Sequence, residues 1–166
     1  MGDRFLDVGL ATLLEVFASA CLGPKDRRPG LRLSGEVVSH TIDDWSFSDE
    51  FQEVYLETQT WYFIAHSVTT VCARLDEKLY VPTIYYDGGE WPNKYWNSNV
   101  VSDPHVRLEM GGRLYELNAV VVEDAAEFQI ALEALSAKYP FWREVLSKPV
   151  SERPAMAMVR MDPRTS

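Results

Sequence analysis

The sequence predicts a mainly β (α+β) domain, a barrel or sandwich of short, mostly antiparallel strands carrying one long and one short helix. Three observations predict it. From Gly35 onward, runs rich in β-branched and aromatic residues recur between turn signals, without the strand–helix alternation of βαβ units. Asp76-Glu77 and Gly111-Gly112 each separate two such runs as two-residue hairpin signals, glycine accepting the positive φ these turns require. A single long helical repeat follows Asp124, in which Phe128, Ala131, Leu132, Leu135 and Tyr139 keep one apolar stripe until Pro140.

Strands are expected at residues 35–41, 53–59, 67–75, 78–86, 105–110, 113–123 and 155–162. Pro82 removes a ladder donor inside the fourth, which makes that strand an edge, or bulged there. Asp124 with Glu127 forms a capping-box-like helix start, and the stripe behind it reads as a lid for one end of the barrel. A shorter helix is expected between Pro92 and Ser102, before an Asp103-Pro104 turn. Upstream, residues 5–22 are apolar apart from Asp7, Thr12, Glu15 and Ser19, and Asp7, Glu15 and Ser19 share one side of an amphipathic helix. Carboxylates at 7 and 15 argue against a membrane span. Residues 23–34 mix proline, glycine and charge, the pattern of a tether. The expected organisation is therefore residues 1–34 as helix and tether and 35–166 as the barrel domain.

The 166 residues, 46% apolar and 12% aromatic, suffice for one packed domain. A formal charge of −9 has the wrong sign for tracking phosphate backbones, so no nucleic-acid partner is expected. Cys21 and Cys72 form no disulfide framework, and no metal-ligand spacing occurs. His40, His66 and His105 stand apart and read as structural or surface residues, with an axial haem ligand as their sharpest alternative. Ala18-Ser19-Ala20-Cys21, after Arg4, is similar to the small-residue stretch of bacterial lipoprotein signals. The expected compartment is the cytoplasm; the alternative is an envelope lipoprotein, with membrane attachment only if Cys21 is lipidated.

Some of these residues form a familiar series. Trp96-x-x-Asn99-Val100-x-x-Asp103-Pro104-x-Val106, then Gly111-Gly112, a long strand to Glu123, a helix, Tyr139-Pro140 and a closing Met161-Asp162-Pro163-Arg164 resemble the flavin-binding split β-barrel superfamily, the pyridoxamine 5'-phosphate oxidase-like proteins. The series is most similar to the deazaflavin-dependent nitroreductase branch. Leu33-Ser34-Gly35-Glu36-Val37-Val38 and His66-Ser67-Val68-Thr69-Thr70 are similar to stretches of a bacterial subgroup with lipoprotein-like N-termini. The resemblance implies a split barrel of six to seven strands, usually a homodimer, with a flavin in the groove between barrel and partner. It implies cofactor binding by Ser67 with Thr69 or Thr70 on one strand, Thr83 on the next, and the stretch from Lys94 to Trp96. Hydroxyls and a lysine can donate to phosphate oxygens, and Trp96, Tyr85 and Tyr86 can cover a ring system.

Two departures weigh between cofactors. Related oxidases carry a base seven residues before the Asp of Asp-Pro, where this chain has Trp96; Lys94 is the nearest base. The deazaflavin branch carries Gly, Arg and Lys after its early strand, where this chain reads Thr58 to Ala65 with neither base nor glycine. Flavin mononucleotide (FMN), with one phosphate, is thus a less demanding guest than deazaflavin F420, and a barrel with no cofactor is the third case. The expected activity is an oxidoreductase of unknown small-molecule substrate with no identifiable side-chain base. The alternative is a non-catalytic split-barrel binding module, possibly envelope-associated. The same residues also have plain structural readings: Ser67, Thr69 and Thr70 as solvent-facing strand residues, Lys94 as a surface lysine, Asn99 as a backbone-bonding anchor. The apolar connection Trp61 to Ile64 reads as a dimer interface or a pocket wall, dimer burial being the favoured reading.

Overall fold

A computed structural model describes residues 24, 28–85, 92 and 95–164, with only the backbone described at Tyr95. The expected N-terminal helix with Cys21, and also Tyr86 and Lys94, lie outside the described residues. The strands are β1 (Glu36–Val37), β2 (Val54–Gln59), β3 (Ala65–Thr70), β4 (Ala73–Leu75), β5 (Lys78–Tyr85), β6 (His105–Met110), β7 (Arg113–Val121) and β8 (Ala155–Pro163). The described α-helices are α1 (Tyr95–Ser102), α2 (Ala125–Lys138) and α3 (Pro140–Ser147). The ladders run in the order β3-β2-β6-β7-β8-β5-β4, all antiparallel, with the short β1 added parallel to β7.

That order forces curvature. Laid flat, the seven strands of the path would hold β3 and β4 roughly 29 Å apart. Yet β3 ends at Thr70 and β4 begins at Ala73, and the link through Val71 and Cys72 spans at most about 11 Å. The sheet must therefore curl until its two outer strands meet. Strand alternation then sorts the side chains into an inside and an outside. Val54, Leu56, Leu79, Val81, Val106, Leu108, Leu117, Val159 and Met161 fill the interior. Trp45 enters the same core from the connection after β1, packed edge-on against Tyr115 at 5.3 Å between ring centroids.

The structure departs from expectation at three places. The run at 67–75 divides into β3 and β4, because the chain leaves β2 and joins β5 at Val71–Cys72. Pro82, by contrast, stands at an edge as expected: β4 stops at the Ala73–Tyr80 pair, so beyond it β5 has a ladder to β8 alone. The α2 stripe does not close a barrel end: Ala131, Leu132 and Leu135 pack with Tyr80, Ile84 and Met158, the outward-facing residues of β5 and β8. Finally, Pro140 ends α2 and opens α3, at the first helical position where a missing N–H costs nothing.

Local chemistry holds these elements. Gly111 and Gly112, at φ 59 and 81, form the β6–β7 hairpin as expected. Asp124 accepts the Glu127 N–H at 2.7 Å, but the reciprocal half of the capping box is missing. The Glu127 carboxylate instead accepts from Arg160 at 2.8 Å and from the Tyr80 hydroxyl at 2.8 Å, tying α2 to β8 and β5. Across the sheet, Glu57, 7% exposed, pairs with Arg107 at 3.0 Å and accepts the Leu33 N–H at 2.5 Å. Gly30 exchanges two backbone hydrogen bonds with Ser67, so the described end of the expected tether lies on the sheet.

Two outcomes follow from these ion pairs. Removing one member of a buried pair strands the other charge, at a cost of about 3–5 kcal/mol. Glu57→Ala is expected to lower the urea unfolding free energy by about that amount, and the Glu57→Leu/Arg107→Leu double variant to recover most of it. Glu127 is held below its ordinary value of 4.5, chiefly by its hydrogen bond to Arg160. A depressed carboxylate contributes stability that is complete above its unfolded value and is lost as pH falls through the lower folded one. Melting temperature measured from pH 6 to pH 3 should thus fall less steeply in Glu127→Gln than in the parent.

Candidate cofactor cleft

The register that joins β4 to β5 also explains where the barrel opens. Continued past Ala73–Tyr80, it would set Val71 opposite Pro82 and Thr70 opposite Thr83. Pro82 has no N–H to give at that position, and no ladder joins β3 to β5. The seam left between β3 and the second half of β5 is a cleft of about 580 Å³. Its strand walls are Val68 to Val71 and Pro82 to Ile84; Trp96 of α1 and Tyr139, Phe141 and Trp142 at the α2–α3 junction close it, with Glu53 at its rim.

Four of the six residues expected to bind a cofactor line this cleft: Thr69, Thr70, Thr83 and Trp96. Ser67 does not. It pairs with Glu57, on the opposite face of the sheet from Val68 and Thr70, and is fully buried, with Gly30 bridging its backbone on the other side. That burial replaces the solvent-facing alternative for Ser67. Lys94 is outside the described residues, as is Tyr86.

Several buried polar atoms near the seam lack partners. Thr83 is 4% exposed and its Oγ1 meets no hydrogen-bonding group. Tyr85, two residues on and facing the same way, is likewise without a partner at its hydroxyl, which burial pushes up to about 12. Asn97 on α1 is fully buried with both amide atoms unpaired. Asn99, by contrast, is satisfied: it donates to Thr58 Oγ1 at 2.8 Å, a side chain rather than the expected backbone group. Buried polar groups are nearly always paired, so an unpaired hydroxyl in a cleft wall is a donor open to a ligand atom.

The aromatic wall is fixed by one carbonyl. Lys138 Nζ donates to Cys72 O at 3.2 Å and to Ser48 O at 2.7 Å, and the Tyr139 hydroxyl donates to Cys72 O at 3.0 Å. The start of α3, with Phe141 and Trp142, is thereby pinned to the β3–β4 junction. The Cys72 thiol is pushed up to about 11 by burial, as expected of an inert packed cysteine. Sequence reasoning missed Phe141 and Trp142, although the Pro140 that ended one helix was also the signal for the start of another.

As a cofactor site the cleft supplies three threonine hydroxyls and aromatic faces, a donor set that fits the heteroatoms and ring of a flavin. Glu53 is the one charged residue among its described walls. None of Trp61 to Ile64 lines it, so that connection is not a pocket wall. Among the described residues no His, Cys, Asp or Glu cluster is placed to hold a metal, and no helix is long and apolar enough to cross a membrane.

No family model matches the chain, and no curated protein matches it in sequence. Solved structures do match its fold. A conserved hypothetical protein from Mycobacterium tuberculosis aligns with a TM-score of 0.55 at 16% identity, over 81% of this chain and 86% of its own. HutZ, the heme storage protein of Vibrio cholerae, aligns at 0.54 and 13% identity, over 72% of this chain and 87% of its own. A protein from Listeria innocua, provisionally assigned as a pyridoxamine 5'-phosphate oxidase, aligns at 0.50 and 16% identity, over 72% of this chain and 90% of its own. Together with the curled sheet and its open seam, these matches show that the chain shares the split β-barrel fold of these structures.

Proposed function

We propose that the seam between β3 and β5 binds a flavin of the FMN kind and that the protein is an oxidoreductase acting through it on a small molecule. The observation that carries this is the Thr83 hydroxyl, buried and unpartnered in a wall shared with Thr69, Thr70 and Trp96. When bound, the flavin supplies the hydride or electron transfer, and the protein supplies position and surroundings. The three hydroxyls donate to ring or phosphate oxygens, and the aromatic walls keep water from the ring face. Lys94, two residues before Trp96, is the cation for a single phosphate. Glu53 and the net charge of −9 work against the polyanionic tail of deazaflavin F420. The flavin proposal carries with it a homodimer, as the sequence resemblance implies, and the cytoplasm unless Cys21 is lipidated.

A second occupant, haem, is favoured by one observation. Burial lowers the His66 imidazole from its ordinary value on the strand that carries Thr69 and Thr70, although His66 is not itself among the residues lining the cleft. Neutral imidazole is the form that ligates iron.

The visible spectrum of the purified protein, followed by titration with FMN, F420 and haem, separates these cases. Saturable binding of FMN in preference to the other two is expected. A Soret band would transfer the cleft to haem, and a colourless protein that binds none would make it a non-catalytic binding module. Thr83→Val sharpens the test. A hydrogen bond to a charged acceptor contributes about 1.5–3 kcal/mol, so the variant should bind FMN roughly 10- to 100-fold more weakly. Its melting temperature should not fall, since the hydroxyl it removes has no partner in the folded chain.

A further inference from the structure

At the end of β3 away from the cleft stands a second feature the fold does not need. The β2–β3 connection displays Trp61 at 82% exposure, Tyr62 at 50%, Phe63 at 87% and Ile64 at 51%. Four consecutive large apolar side chains at a hairpin tip are costly to hydrate, and isolated surface hydrophobics do not account for such a run. Nor is the tip a slack loop. Thr60 Oγ1 donates to Ile64 O at 2.7 Å and accepts the Ile64 N–H at 3.1 Å, while the Phe63 N–H reaches Thr60 O at 3.0 Å. This clasp holds Phe63 at φ 62, a left-handed conformation that a bulky residue adopts only when its surroundings impose it.

We infer that the 61–64 tip inserts into the uncharged interfacial layer of a lipid bilayer. The chemistry of the tip selects that partner. From Thr58 to Ser67 no Asp, Glu, Lys or Arg occurs, so nothing on the hairpin resists an apolar layer or prefers an anionic one. Trp and Tyr are the residues that favour the boundary between headgroups and acyl chains, and Phe63 and Ile64 supply the apolar depth beyond it. The tip alone offers four residues, whereas a stable protein interface takes roughly 20–30 residues a side, so a dimer contact here would need further surface around it. Two further exposed apolar residues adjoin the strands that carry the tip: Leu31, next to the Gly30–Ser67 bridge, and Val101, two positions past the Asn99 that holds Thr58. The same bridge leads upstream to Cys21, nine residues before Gly30 and within about 32 Å of it.

The experiment uses the full chain carrying Cys21→Ser, so that no acyl group contributes, with phosphatidylcholine vesicles containing brominated acyl chains. The expected results are co-sedimentation with the vesicles, quenching of tryptophan fluorescence, and no gain in binding when anionic lipid is added. Trp61→Ser/Phe63→Ser in the same background should lose at least tenfold in partitioning with its circular dichroism and melting temperature unchanged. A Cys21→Ser chain that stays in the supernatant overturns the inference, as does a double variant that partitions like its parent. Sedimentation velocity covers the remaining outcome: a dimer that the double variant dissociates, without vesicle binding, would give the tip to a second copy and also overturn it. FMN titration of the same proteins reports on the cleft separately, because the tip lies at the other end of β3.

Discussion

Everything in this molecule hangs on a covalent constraint, the two-residue link between strands that the hydrogen-bond order places at opposite margins of one sheet. Hydrogen bonding alone would be content with a flat or gently twisted ribbon. The short link removes that option, and the apolar residues that alternation sends to one side then have an interior to fill. Curvature, core and seam are consequences of the same few ångströms of chain. The seam exists because the closing strand changes partners at its midpoint and because a proline stands where the next ladder bond would form.

The outer face is organised by charge and the inner face by packing. On the outside, Glu57 with Arg107 and Glu127 with Arg160 each connect segments far apart in sequence, and each carboxylate also accepts from a neutral donor, the Leu33 N–H or the Tyr80 hydroxyl. Saturated carboxylates of this kind fix which strap or helix lies where. Inside, the polar atoms are few. Those near the seam fall into two groups, a satisfied Asn99–Thr58 pair that anchors α1 and the unsatisfied Thr83 and Tyr85 hydroxyls on β5 and Asn97 amide on α1. A fold that satisfies one buried polar pair and leaves its neighbours unpaired distinguishes anchoring from binding.

Much of this was legible in the sequence, for reasons particular residues make clear. The Gly111-Gly112 hairpin and the Asp124 cap were readable because each is local: a φ requirement in one case, a side chain reaching three residues along in the other. Thr69, Thr70, Thr83 and Trp96 were named as companions through the resemblance, and the structure gathers them around one cleft. Ser67 was not separable from its neighbours, since the bridge that Gly30 makes to it spans 37 positions, a long-range event with no local mark. The fate of Glu127 illustrates the same limit: the capping motif is visible, but its competitor Arg160 is 33 positions distant and wins the carboxylate.

The Cys72 carbonyl, receiving both Lys138 and Tyr139, has a mechanical consequence. It is the fulcrum of the cleft: the strand junction and the aromatic wall share one oxygen, so neither can shift without loading the other. A cavity braced in this way holds its strand wall and its aromatic wall at a set separation where they meet. Its width is consequently a property of the barrel's own circumference, and a guest that fits the seam would tighten the whole hoop.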